Sequence, residues 1–531
     1  MALRQMVHAS SSVTEVSADF CVIGAGIAGL IAATRLARQK QCRVIVVESG
    51  LTQLDSSLDD LNEVEHPSNS YRGALTSRSR GLGGTSMLWA GKLLPLSLHD
   101  TLCRPYLDLK GWPFDVGELD RYRQEIEALM EVDDMPYEGD VTETLDPGTL
   151  LPRSNDDFCL RWPKRPTNRN HNLAYVFRAE IENRENMEIW LGATVSKFNF
   201  HPGSASVESI TAINHAGKSL RVSAGKYLIA AGTVESTRLL LLADRQSNHS
   251  ITHDCDVLGR YFNDHLGLTV ASLRPHNGTL TNRMLSDRST LNAARHLHFE
   301  LRAGVQEENK VASAYFDVAA ELPDSSALTQ ARILVRNLKN GHFAASSRNL
   351  SGCVRDLPSL FRTAQWQTVR KQKYWPPNAH LSLKIWVEQL PKWNNRLSLS
   401  THEDSLHLPR LKLDWEKTDE EEVLFRLMVE KIRRYWGGSP GDACGLEWIP
   451  EVLDPTCRLV DLSTDLAHPA GSTRMGTSAL DSVVDPYLRV HRMANLSVAS
   501  ASVFPSSGSA NPTLTIMHLA MRAADALANR S

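Results

Sequence analysis

Residues 19–50 read DFCVIGAGIAGLIAATRLARQKQCRVIVVESG, and this stretch decides the fold. The apolar run Phe20–Ile23 has the length of a buried strand, the alanine-rich IAATRLARQ after it has helical character, and RVIVVES is a second apolar strand. Together they form one βαβ unit. Gly24, Gly26 and Gly29 stand at the strand-to-helix turn with GxGxxG spacing. In such a turn the first glycine permits the tight reversal, the second lets the backbone approach a pyrophosphate, and the third lets the helix lie close on the strand. Phosphate charge then sits against the unpaired N–H groups of the helix start. Glu48 ends the second strand, about 20 residues beyond the glycines, where a carboxylate reaches the ribose hydroxyls of an adenine dinucleotide. The motif alone leaves NAD and FAD both open.

Working outward, Ser79–Gly91 reads SRGLGGTSMLWAG, a glycine density that suits a loop lying against a flat ligand better than a helix or strand. Lys226–Ala243, KYLIAAGTVESTRLLLLA, is a second apolar strand that turns at Gly232 into a helix with Glu235 in its first turn. The following GRYFNDHL, from Gly259, reads as a polar loop. From about Ala271 to Leu453 the texture changes to alternating runs such as HLSLKIWVEQL, as in a mixed or antiparallel sheet with helices. Leu424, Leu427, Met428 and Ile432 give a helix over Asp419–Arg434 an apolar face.

The C-terminal region carries HPAGSTRMG from His468 to Gly476 and NLSVASASVFPSSGSANPTLTIMHLAMRAADAL from Asn495. Read locally, Asn511 is a helix cap, Pro512 is the first helical residue, and His468 is a hydrogen-bonded loop residue. Read together, the four regions resemble the glucose-methanol-choline (GMC) family of FAD-dependent oxidoreductases. The order is the same: a GxGxxG turn, a glycine-rich flavin loop, a GTxES-type strand–helix junction, and an HPxGxxRMG plus NPT terminus.

The resemblance implies an α/β fold, with a Rossmann-like FAD-binding domain over 1–110, 182–270 and 454–531 and a mixed or antiparallel-sheet substrate domain over 111–181 and 271–453. It implies that Gly24, Gly26, Gly29 and Glu48 hold the ADP part of FAD, and that Gly83, Gly84, Thr85 and Ser86 lie along the flavin. Val195 falls at a backbone contact to adenine, and Pro512 and Thr513 start the helix whose positive end faces the flavin. His468 and Asn511 correspond to the family's active-site pair. His468 would take the hydroxyl proton as hydride leaves the carbinol carbon, a task suited to a group with an unperturbed pKa of about 6.5, and Asn511 would hydrogen-bond the same oxygen.

Departures matter too. Many members carry a covalently linking histidine in the flavin loop, but Leu88 stands at the comparable place, which implies non-covalent FAD. Ser500 replaces an aspartate frequent in the family. SSGSANPTLTI resembles the branch acting on sugars and polyols, including oxidases of aminoglycoside intermediates. Glu388 and Gln389, at a strand end, are candidates to reach a polyol or an ammonium group, and Trp112, Trp162, Trp375, Trp386 and Trp393 are candidate sugar-stacking faces, with core packing preferred. The alternatives are a dehydrogenase acting on a non-sugar alcohol and a non-redox flavin-containing lyase. No motif chooses between O2 and another electron acceptor, although an oxidase is preferred.

The 58 Lys plus Arg against 61 Asp plus Glu, a net charge of -3, argue for a small-molecule partner over nucleic acid or an anionic membrane. The basic stretch RWPKRPTNRNH from Arg161 reads as a solvated face. Eight scattered cysteines show neither CxxC pairing nor zinc-ligand spacing, so no metal is expected and the thiols read as reduced. The first residues lack the apolar core of a signal peptide, and a cytoplasmic location is the expectation. The oligomeric state stays open.

Overall fold

The computed structural model describes residues 3–6, 12–39, 41–67, 71–139, 141–145, 152–253, 255–290, 292–339, 350–354 and 356–529. The βαβ unit forms as its sequence dictates: the strand Val13–Ile23, the helix Ile27–Ala37 and the strand Val44–Glu48. Every residue of Val44–Glu48 is buried, as a parallel strand covered on both faces requires. Around it the sheet runs in the order Leu3–Gln5, Met187–Leu191, Val44–Glu48, Val13–Ile23, Ser219–Ile229, Val207–Ile213, Thr194–Phe200, and Leu496–Val498 also pairs with Ser219–Ile229. The pairings are parallel except for the hairpin edge formed by Val207–Ile213 and Thr194–Phe200. The C-terminal helix Thr513–Asn529 buries Leu514, Met517, Met521 and Ala524 in the core of this sheet, beside Ile27–Ala37.

A second sheet is antiparallel, in the order Cys444–Trp448, His265–Pro275, His380–Glu388, Ala314–Glu321, His298–Leu301, Phe158–Arg161. It has its own apolar core, to which the helix Asp419–Trp436 contributes Leu424, Met428 and Ile432. A capping box between Thr418 and Glu421 starts that helix, and four acidic residues fill its first turn. The chain thus folds as an α/β protein with a Rossmann-like sheet and a separate antiparallel sheet. The strand His265–Pro275 runs through residue 270, so one strand spans the expected domain boundary. Among the described residues no helix is long and apolar enough to cross a membrane.

The basic stretch from Arg161 is not a solvated face. Arg161 and Lys164 are buried, the first paired with Glu300 at 2.9 Å and the second with Glu127 at 2.6 Å. Their partners lie far away in sequence, so no local pattern marked them.

Candidate active site

A cavity of about 710 Å3 opens at the carboxyl ends of the parallel strands, where Ile23, Val47, Glu48, Ala230 and Ala499 form its wall. Crevices at that end are where open α/β sheets bind ligands. Gly24 turns the chain there at φ +105°, and a Cβ on it would come 2.7 Å from the Ala230 carbonyl oxygen. Gly26 also lines the cavity and caps Ile27–Ala37 without a side-chain hydrogen bond, leaving the helix start free for an anion. Gly29 lies behind them, packed on the Gly24 carbonyl.

Glu48 is held before any ribose arrives. Its Oε2 accepts the Ala25 N–H at 2.8 Å, and its Oε1 accepts the N–H groups of Gly50 at 2.8 Å and Gly81 at 2.9 Å. The carboxylate therefore ties the glycine turn to the glycine-rich loop and keeps about one of its four acceptor positions. Of the four loop residues expected along the flavin, Gly84 and Thr85 reach the cavity wall and Gly83 and Ser86 do not. A Cβ on Gly84 would come 2.8 Å from the Gly26 Cα, so the two glycines pack back to back. Ser86 turns inward, donating to the Gly83 carbonyl at 2.5 Å and accepting the Leu173 N–H at 3.0 Å. Val195, Leu88, Ser500, Pro512 and Thr513 all line the cavity.

His468 and Asn511 line the same cavity, with His468 Nε2 3.3 Å from Asn511 Nδ2. His468 Nδ1 lies 2.9 Å from Nδ1 of His265, whose Nε2 faces the Gly508 carbonyl oxygen at 2.7 Å. Asp264 Oδ1 accepts the backbone N–H of both histidines, at 2.6 Å from His265 and 2.8 Å from His468, and Oδ2 accepts the Tyr71 hydroxyl at 2.6 Å. Burial pushes the Asp264 pKa up to about 7. Burial, reinforced by His265 and Lys92, holds the His468 imidazole well below its usual range, so it is neutral at neutral pH.

Three expectations are corrected. Asn511 does not cap the last helix: the Pro512 carbonyl accepts the Ile516 N–H at 2.9 Å, placing the cap at Pro512, and the Asn511 Oδ1 is buried without a partner. Glu388 does not reach the cavity. It is fully buried in a bidentate pair with Arg104 at 2.7 and 2.8 Å, beside a separate pocket of about 140 Å3. Gln389 is buried as well, accepting the Trp415 indole N–H at 2.7 Å and donating to the Glu416 carbonyl at 3.0 Å.

Of the candidate stacking faces, Trp386 lines the cavity, whereas Trp112, Trp162 and Trp375 are core and Trp393 packs under Arg260. Near Trp386 sits Lys92, which local reading missed. Its ammonium lies 3.1 Å from Asp317 Oδ2 and 3.3 Å from His298 Nε2, and the Trp386 indole donates to Asp317 Oδ1 at 2.8 Å. His296, His298 and Asp317 are the group whose ligand atoms stand close enough for a metal among the described residues. The Lys92 ammonium already supplies a cation there.

A glycine-lined dinucleotide cradle that shares its cavity with a neutral histidine under an antiparallel-sheet unit defines a cofactor-dependent enzyme of the Rossmann class. Residues 391–520 match the family model described as GMC oxidoreductase, and residues 22–52 match that of an NAD(P)-binding Rossmann-like domain. The C-terminal quarter of the chain is thus similar to GMC oxidoreductases, and its first βαβ unit to Rossmann-like dinucleotide-binding domains. Fructose dehydrogenase large subunit of Gluconobacter japonicus is 27% identical over 59% of this chain and 48% of its own length, so the chain spans about half of that relative. Paromamine 6'-oxidase of Streptomyces fradiae is 22% identical over 96% of this chain and 91% of its own. The crystal structure of pyridoxine 4-oxidase from Mesorbium loti superposes with a TM-score of 0.58 at 16% identity, covering 97% of this chain and 99% of the other, which shows the shared fold.

Proposed function

We propose that this protein oxidises an alcohol carbon of a sugar, polyol or aminosugar, using non-covalently held FAD and passing the electrons to O2 or another acceptor. The observation that carries the reading is the His468–Asn511 pair, 3.3 Å apart on the wall of the cavity that Gly24, Gly26 and Glu48 line. FAD fits the residues present: the glycine turn leaves its helix N-terminus uncapped, Gly84 lies flush on Gly26, and Thr85, Val195, Pro512 and Thr513 are on the wall. The non-covalent reading rests on Leu88 at the loop position and on a lining that, among the described residues, includes neither cysteine nor tyrosine and has His468 as its histidine.

FAD, when bound, supplies the hydride acceptor. The chain's own groups manage the oxygen and its proton. A hydroxyl seated between His468 and Asn511 donates its proton to His468 Nε2 and accepts from Asn511 Nδ2. As hydride departs from the carbon, the O–H electron pair becomes the second bond of the carbonyl. A base that is already neutral at the working pH is ready to accept this proton, and general-base help of this kind supplies about 10²–10⁴-fold.

In this reading residues 1–110, 182–270 and 454–531 serve the cofactor, and residues 111–181 and 271–453 cover the substrate. Trp386 gives a flat face for a sugar ring and Lys92 a donor for its hydroxyls. Sugar-directed relatives such as fructose dehydrogenase and paromamine 6'-oxidase support the substrate class. The eight cysteines are all free, which suits a reducing, cytoplasmic compartment.

The test is the purified protein's flavin spectrum, followed by anaerobic mixing with D-fructose, D-glucose and paromamine. Bleaching of a flavin that acid releases intact supports the reading. A flavin that stays oxidised while substrate is consumed makes the protein a lyase, and a flavin retained after denaturation overturns non-covalent binding.

A further inference from the structure

The contacts around His468 decide which of its ring nitrogens carries a proton. His265 Nε2 stands 2.7 Å from the Gly508 carbonyl oxygen, His265 Nδ1 stands 2.9 Å from His468 Nδ1, and His468 Nε2 stands 3.3 Å from Asn511 Nδ2. A carbonyl oxygen only accepts, so His265 must carry its proton on Nε2. The opposite arrangement would press a bare nitrogen lone pair against that oxygen. The His265 ring is buried and the His468 ring is half-buried on the cavity wall, and among the described residues no carboxylate hydrogen-bonds to either ring, so a second proton on His265 would be a buried charge without an ion-pair partner. His265 is therefore neutral, and its Nδ1 can only accept. The proton shared by the two Nδ1 atoms then belongs to His468, whose Nε2 is left bare. Asn511 Nδ2, a donor, faces that bare nitrogen.

We propose that His265, anchored by the Gly508 carbonyl, is a positioning residue that locks His468 in the Nδ1–H tautomer and keeps its Nε2 lone pair aimed at the substrate hydroxyl. The proposal rests on the base role given to His468 above. The surroundings hold every member of this relay. Gly508 donates its own N–H to Glu388 Oε1 at 2.9 Å, which fixes where its carbonyl points. Asp264 Oδ1 grips the backbone N–H of both histidines and so sets their separation. When His468 Nε2 takes up the hydroxyl proton, its Nδ1–H still donates to His265, so the new charge forms with a hydrogen bond already in place. Without an acceptor at position 265, nothing holds the proton on Nδ1, and the tautomer protonated at Nε2 cannot act as a base.

The test uses holoenzyme labelled with 15N-histidine. Long-range proton–nitrogen correlation, with His468 assigned by its loss in His468→Gln, is expected to show Nδ1 protonated and Nε2 bare. His265→Leu, which offers no acceptor, should shift His468 toward the Nε2–H form. It should also slow anaerobic flavin reduction by about 10–100-fold, the order lost when the partner that orients a metal-bound histidine is removed. The probe is the fastest of D-fructose, D-glucose and paromamine. His265→Asn places an acceptor oxygen near the former Nδ1 and should keep most of the rate, a rescue that mere packing would not give. An Nε2-protonated His468 in the parent, a Leu variant at parental rate, or an Asn variant as slow as Leu would overturn the relay. If His468→Ala itself reduces its flavin normally, the proposed function falls. If His468 is essential and His265 is indifferent, only the relay does.

Discussion

Glu388 Oε1 accepts the backbone N–H of Gly508 at 2.9 Å, although the two residues are 120 apart in the chain. The same carboxylate takes the Arg104 guanidinium at 2.7 and 2.8 Å, with both side chains fully buried. Glu388 thus supports the loop that carries Asn511 and faces His265, which explains a buried charge that touches no part of the main cavity.

The first prediction follows from that pair. Breaking a buried ion pair strands the surviving charge, at a cost of about 3–5 kcal/mol. Glu388→Gln should lower stability by that order, read from urea unfolding, and Arg104→Met should do the same by stranding Glu388. The double variant should lose less than the sum of the two single losses, because Glu388 and Arg104 no longer strand each other, but it should stay below the parent because the buried Asp100, 3.8 Å from Arg104, loses its cation. Additive losses would mean that the two side chains are not coupled.

The glycines of the first turn separate folding from cofactor binding. A Cβ on Gly29 would run into the Gly24 carbonyl, which cannot retreat from the turn it makes, so Gly29→Ala should yield little folded protein. On Gly26 the nearest atom to an added Cβ is 3.8 Å away, at Gly84 Cα. Gly26→Ala should therefore fold and melt near the parent temperature but bind FAD more weakly, because the methyl group stands on the cavity wall where backbone must approach phosphate. Flavin content after gel filtration and apoprotein melting measure the two effects independently.

The pH dependence follows from the burial of His468. Its pKa in the folded protein is pushed well below the usual value, so the base stays neutral where a free imidazole would be half protonated, near pH ~6.5. The limiting rate of flavin reduction is expected to stay flat from pH 8 down through 6.5 and to fall only below that. Stability moves with the same sign. The unfolded chain protonates this histidine below about pH 6.5 while the folded state does not, so folding loses about 1.4 kcal/mol per pH unit for such a group as the pH drops. Asp264 works in the opposite direction. Its folded pKa of about 7 exceeds the unfolded value of about 3.9, and the stability it contributes at low pH is lost as the pH rises through 7. Urea midpoints at pH 5 and 7 should show a smaller acid loss in His468→Phe than in the parent.

How far the sequence was legible depends on the range of the interaction. The strand–turn–helix at Val13–Ala37 and the helix Asp419–Trp436 follow from spacing, because neighbouring residues decide them. The candidate pair His468 and Asn511 was legible through the order of motifs. Its support was not: His265 belonged to a stretch that reads as a polar loop, but it opens the strand His265–Pro275 and meets His468 from 203 residues away. Glu388 reads as a strand-end candidate for a polyol or an ammonium group because Arg104, its partner, is 284 residues distant. Arg161 and Lys164 read as a surface run for the same reason.

Asn511 supplies the last prediction, because its position alone suggests a role it does not have. An asparagine before Pro-Thr at a helix start reads as a cap, and losing a cap costs about 1 kcal/mol. Here the Pro512 carbonyl begins the helix, the Asn511 Oδ1 is buried without a partner, and Nδ2 faces His468. Removing a buried oxygen that makes no hydrogen bond relieves an unsatisfied group, and this offsets the lost contact to His468. Asn511→Ala should therefore leave the unfolding free energy within about 1 kcal/mol of the parent. The same change removes a donor to the substrate oxygen, and losing one preorganised donor costs about 10²–10³-fold. Flavin reduction should slow by that order with D-fructose, D-glucose or paromamine, whichever reduces the parent, while flavin content stays constant. A variant that melts early yet reduces its flavin at the parental rate would make Asn511 a structural residue and leave His468 to act alone.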